Sequence, residues 1–70
     1  MTLTWKDAAE IGVQLYEKFP DLEPLQVRFT DLRQWALALD GFADDPAKSN
    51  EKILEAIQMS WYDEWQEDHA

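Results

Sequence analysis

The stretch TWKDAAEIGVQLYEKFP, residues 4–20, decides the fold class. Within it Ala8, Ile11, Gly12, Leu15, Tyr16 and Phe19 recur at the spacing of one continuous apolar stripe on an α-helix. Asp7, Glu10, Gln14 and Glu17 occupy the opposite face. Thr4 and Asp7 have the spacing of a capping box, in which each residue satisfies a backbone N–H near the other, so the helix is predicted to begin there. Pro20 ends it, because proline has no N–H to continue the ladder.

Working outward, Pro20-Asp21-Leu22-Glu23-Pro24 reads as a connector between two prolines. Leu25 to Phe29 partly alternates apolar and polar residues, which predicts a short extended piece paired with Leu3 to Trp5. Thr30 or Asp31 is the predicted cap of a second helix that buries Leu32, Trp35, Ala36 and Leu39, with Gly41 as its stop. The loop Asp40 to Pro46 follows. Ser49 or Asn50 then caps a third and longest helix, whose inward face carries Leu54, Ile57, Trp61 and Trp65 while Glu51, Glu55, Gln58 and Tyr62 project elsewhere. Trp35 and Trp61 are expected in the core; Trp5 and Trp65 are not assigned by pattern alone. Gln66 to Ala70 is polar and has no apolar anchor, so a single domain over residues 1–65 with a frayed tail over 66–70 is expected. The resulting class is mostly α: three helices, at most a minimal β element, and the topology of a helix-turn-helix or winged-helix relative.

Composition narrows the chemistry. The chain has 70 residues and no cysteine, so it forms no disulfide and offers no thiolate to zinc or to an iron–sulfur cluster. Four tryptophans and an apolar fraction of 46% provide enough large surface for one small core. Fifteen Asp and Glu against six Lys and Arg give a net charge of −9, which repels phosphate backbones and anionic membranes and attracts basic protein surfaces. The second and third helices offer only Arg33 and Lys52 to a nucleic acid, with Lys48 just before the third, so nucleic acid is not an expected ligand. There is no signal-peptide pattern and no apolar run of membrane-spanning length, and a cytoplasmic monomer is the expectation. Catalysis is not expected either. The sole histidine, His69, stands next to the C-terminus, and two glycines cannot build a phosphate-cradling loop.

What remains is carboxylate. Asp40, Asp44 and Asp45, followed by Glu51 and Glu55 at the start of the third helix, form the densest run of hard oxygen donors, suited to Ca²⁺, Mg²⁺, Mn²⁺ or iron without selectivity among them. The loop is not an EF-hand, since Gly41 comes second rather than sixth. Solvated surface acids and helix caps account for any one of these residues. Crowding of so many carboxylates costs stability unless a cation or a basic partner relieves it.

The segments Val27-Arg28-Phe29-Thr30-Asp31-Leu32 with Trp35, and Asp44-Asp45-Pro46 with Ser49-Asn50-Glu51-Lys52-Ile53-Leu54-Glu55-Ala56-Ile57, resemble the IscX family. Trp5 with Asp7, Ile11, Leu15-Tyr16, Pro20-Asp21-Leu22 and Trp61 with Asp63-Glu64 extend the resemblance over roughly residues 3 to 65. It implies a modified winged-helix fold and a small acidic protein of bacterial iron–sulfur cluster assembly. Such a protein is expected to bind iron weakly and exchangeably through surface carboxylates and to dock on the cysteine desulfurase IscS, in the region used by frataxin, without holding a cluster. Carried onto this sequence, the resemblance places the partner surface and the metal ligands on Asp40, Asp44, Asp45, Glu51 and Glu55, with Asp31 bordering the partner surface. Gly41 and Ala43 stand where the family is often acidic, which implies weaker iron binding at this loop. An iron buffer or donor is the alternative expectation.

Overall fold

A computed structural model describes residues 2–69. Three helices carry the fold: α1 (Ala8–Lys18), α2 (Phe29–Leu37) and α3 (Glu51–His69), with single 3-10 turns at Pro24–Gln26 and Pro46–Lys48. Among the described residues there is no strand, only one isolated parallel bridge between Leu3 and Phe42. The architecture is the mostly α, three-helix domain that the apolar periodicity predicts. No helix among the described residues is long and apolar enough to cross a membrane.

The stripe on α1 is buried as its spacing requires, with Ile11 and Leu15 fully enclosed. From α2 come Leu32 and Ala36, and from α3 Leu54, Ile57 and Trp61. Leu3 and Trp5 close the core from the N-terminal side, so the tryptophan left open by pattern belongs to it, whereas Trp35 is only partly buried. Phe19 and Trp35 rings lie 4.7 Å apart, and Trp61 sits 6.2 Å from Phe19 and 6.3 Å from Trp35. The three rings pack at offset angles that suit their quadrupoles.

Several local expectations change. Thr4–Asp7 forms a turn ahead of α1: the Thr4 N–H donates to the Asp7 carboxylate at 2.9 Å, but the Thr4 hydroxyl accepts from Lys6 rather than from a helical N–H. The helix therefore starts at Ala8. Leu25 to Phe29 is not an extended piece, because Pro24 with its fixed φ opens a 3-10 turn and Phe29 already begins α2. Leu3 pairs instead with the loop after α2, donating to the Gly41 carbonyl at 2.7 Å and accepting from the Ala43 N–H at 2.9 Å. Arg28, in extended conformation, stands at the cap of α2 without a side-chain bond, which places Thr30 and Asp31 in the first turn. Gly41 lies beyond the end of α2. At φ 83° it is the third residue of the Leu39–Phe42 turn, a conformation that glycine adopts without strain.

Asn50 is the cap of α3, accepting the Ile53 N–H at 2.9 Å. The helix continues past Trp65, where the polar composition predicts fraying, and the Tyr16 hydroxyl donates to Asp68 at 2.5 Å across the α1–α3 contact. The side chain of His69, and Ala70, lie outside the described residues.

Trp61 raises one energetic point. Its ring is fully buried, yet among the described residues its indole N–H has no hydrogen-bond partner. A buried unpaired donor costs about 1–3 kcal/mol, which offsets part of what the large ring contributes. Trp61→Phe removes the donor and keeps an aromatic ring, so chemical denaturation should show a net change below about 1 kcal/mol, smaller than a buried truncation ordinarily gives.

Candidate functional site

The predicted acidic cluster divides into two groups with different roles. Asp44 is largely covered, with 18% of its side chain exposed. One carboxylate oxygen accepts the Trp5 backbone N–H at 3.1 Å, and the other accepts the Asp45 N–H at 2.7 Å and faces the Lys48 ammonium at 4.0 Å. Asp45 caps the Pro46–Lys48 turn by accepting the Ala47 N–H at 2.9 Å, and its carbonyl receives the Trp5 indole N–H at 2.8 Å. Arg33 completes the brace, donating to the Pro46 carbonyl and to the Ser49 hydroxyl, each at 3.1 Å. Asp44 and Asp45 thus fasten the N-terminal segment and the α2–α3 loop to each other.

Asp40, Glu51 and Glu55 form the second group. All three are exposed, as is Asp31 on the first turn of α2. Glu51 stands in the first turn of α3, where a carboxylate complements the helix dipole. Asp40 also borders an open depression of about 360 Å³ together with Glu10, Gln14, Glu17, Lys18 and Leu39. Glu10 and Glu17 thereby share this depression with Asp40, although they lie far from it in sequence. Their position on the polar side of α1 was legible; their proximity to Asp40 was not, because it depends on how α1 packs beside the α2–α3 loop.

Among the described residues, no three His, Cys, Asp or Glu side chains come together as a group able to hold a metal ion. Asp44 and Asp45 are occupied by backbone N–H groups, so the five carboxylates expected to supply iron ligands do not form a preformed cage. A divalent cation would meet separate, hydrated acids on this surface.

The hydrogen bond from the Trp5 N–H, reinforced by that from Asp45 and by the charges of Lys48 and Lys6, holds the Asp44 carboxyl below the ordinary aspartate range. A depressed carboxyl contributes stability that is present above its unfolded-state value and is lost as pH falls through the folded one. The Trp5 backbone amide resonance should therefore shift in acid, below the usual aspartate titration, and Asp44→Asn should abolish that step because the amide accepts without titrating. At the other extreme, the bond to Asp68 raises Tyr16 to about 12. The neutral phenol is favoured in the fold, so its contribution is complete below the unfolded value and disappears as pH rises through the folded one.

A model of the family described as iron-sulphur cluster assembly matches residues 3–66. An uncharacterized protein of Pseudomonas aeruginosa is 50% identical over 64 residues, covering 91% of this chain and 97% of that relative. The family match takes in α1, α2, the braced loop and all but the last three residues of α3.

Proposed function

Since this chain belongs to the IscX family of iron–sulfur cluster assembly, we propose that it is a non-catalytic acidic adaptor that docks on a basic surface of the cysteine desulfurase IscS. The observation that carries this reading is the division among the acids. Asp44 and Asp45 build the loop, whereas Asp31, Asp40, Glu51 and Glu55 are exposed, and Asp40 shares an open depression with Glu10 and Glu17. With a net charge of −9, such a surface steers toward a cationic partner and accelerates encounter, an effect that acts over about 8 Å at physiological salt. The family resemblance adds that such docking would compete with frataxin for the same region of the desulfurase.

No covalent chemistry is assigned to this chain. It has no cysteine for sulfur or cluster transfer, and its one histidine lies at position 69. Iron is given no step. The residues that the resemblance names do not converge, and binding to separate acids is weak, exchangeable and poorly selective. That chemistry does not favour an iron buffer.

Calorimetric titration of the cysteine desulfurase with this chain tests the proposal. Binding at about 0.05 M salt that weakens steeply by about 0.5 M is expected, because exposed charges are screened over that range. An absence of binding at the lower salt would contradict it.

A further inference from the structure

Among the described residues, every long-range hydrogen bond made by residues 3–5 ends on the loop between α2 and α3, and none ends on a helix. Leu3 donates to the Gly41 carbonyl and accepts from the Ala43 N–H, while Trp5 sends its backbone N–H to Asp44 and its indole N–H to the Asp45 carbonyl. The Trp5 ring also meets the Phe42 ring edge-on, with centroids 4.7 Å apart. Leu3 and Trp5 are buried, so this strap is closed over the core. Toward α1 it is joined only by the Thr4–Asp7 turn, whose bonds are local: the Thr4 N–H to the Asp7 carboxylate and the Asp7 N–H to the Thr4 carbonyl, each at 2.9 Å. The pairing of α1 with α3 has its own support. Ile11, Leu15, Ile57 and Trp61 are fully buried, and the Ser60 hydroxyl donates to the Ala9 carbonyl. A segment near a chain end, held by one loop, is the kind of unit that opens below the cost of global unfolding.

From this division we infer that the strap of residues 3–5 and the loop of residues 41–45 open and close as one cooperative unit while α1 and α3 stay paired, and that closure sets how strongly the acidic surface holds a basic protein partner. The second clause rests on the acidic-adaptor reading. The loop separates two exposed acids: Asp40 adjoins Gly41, whose carbonyl Leu3 holds, and Glu51 follows the Asn50 cap of α3. With the strap closed, both acids stand on a fixed backbone. With it open, a partner must order the loop as it binds, and affinity falls. Opening does not release a new free acid to offset that loss, because the Asp45 N–H and the Lys48 ammonium stay beside Asp44 in the same stretch of chain. By linkage, a partner that prefers the closed form suppresses opening by the same factor.

Hydrogen exchange followed by NMR tests the first clause. In the unaltered chain the N–H groups of Leu3, Ala43 and Trp5, backbone and indole, should exchange through a common opening, at least about tenfold more often than the helical amides of Leu15 and Ile57. Trp5→Phe keeps a ring beside Phe42 and removes the bond to Asp45, so it should raise exchange at Leu3 and Ala43 about fivefold. Exchange of the strap at the rate of Leu15 and Ile57 would overturn the inference. For the second clause, Leu3→Asn leaves the net charge unchanged and puts an amide in an apolar seat, which should hold the strap open. With its helix content verified by circular dichroism, it should bind the cysteine desulfurase at about 0.05 M salt roughly tenfold more weakly than the unaltered chain. Saturating desulfurase should also slow strap exchange in the unaltered chain, a measurement that needs no variant to fold. Equal or tighter binding by folded Leu3→Asn, or strap exchange unchanged in the complex, would overturn the link to docking and leave the adaptor reading standing. No binding by the unaltered chain would refute the named partner, and the exchange pattern would still decide the cooperative opening.

Discussion

Gly12→Ala is expected to destabilise the fold by about 2 kcal/mol, and thermal denaturation should register a fall of about 10 °C in Tm for a domain of this size. Helix propensity argues the opposite sign, since alanine is better than glycine in a helix interior by about 1 kcal/mol. The α1–α3 contact decides against it. A Cβ at Gly12 would stand 2.6 Å from Ser60 Oγ, 2.7 Å from Ser60 Cβ and 2.7 Å from the Trp61 backbone nitrogen. Ser60 is held in place by donating to the Ala9 carbonyl at 3.1 Å, and the backbone of α3 cannot yield without moving Trp61, which is fully buried. The two helices must separate to admit a methyl group, and that loosens the densest contact in the molecule. Ser60→Gly in the Gly12→Ala background removes two of the three clashes and should recover part of the loss; the double-mutant cycle measures the coupling. A more stable Gly12→Ala protein would mean that the helices do not approach this closely.

What was legible in the sequence was whatever depends on near neighbours. The stripe from Ala8 to Phe19 and the Asn50 cap are local, and both appear where the pattern places them. The segment around Leu25 was misread because partial alternation is weak evidence for a strand, and Pro24 starts a 3-10 turn there. Long-range contacts were invisible. Asp44 reads as a loop acid available to a ligand, yet its partner is the N–H of Trp5, 39 residues away. Gln66 to Asp68 reads as tail until Tyr16, 52 residues from Asp68, is found donating to it. The acidic character of the candidate site was therefore plain from composition, while the separation of structural acids from exposed ones required the fold.

That separation determines which substitutions are informative. Asp44→Lys/Asp45→Lys would place cations against the N–H groups of Trp5 and Ala47, so any loss of partner binding would follow from a disrupted loop. Asp40→Lys/Glu51→Lys/Glu55→Lys alters only exposed residues and changes the net charge by six, from −9 to −3. The helix dipole at Glu51 costs about 0.3–1 kcal/mol of stability, too little to unfold the domain. Electrostatic steering and complementarity are both reversed at the contact, where opposed like charges cost several kcal/mol. Affinity for the cysteine desulfurase at low salt should fall by a factor of at least about 100.

The most direct test of the acidic-face account is therefore a side-by-side titration of the cysteine desulfurase with the unaltered chain and with this triple variant, after circular dichroism has shown both to be folded. The account predicts tight, salt-sensitive binding by the first and little or none by the second. Equal affinities, with the same salt dependence, would contradict it.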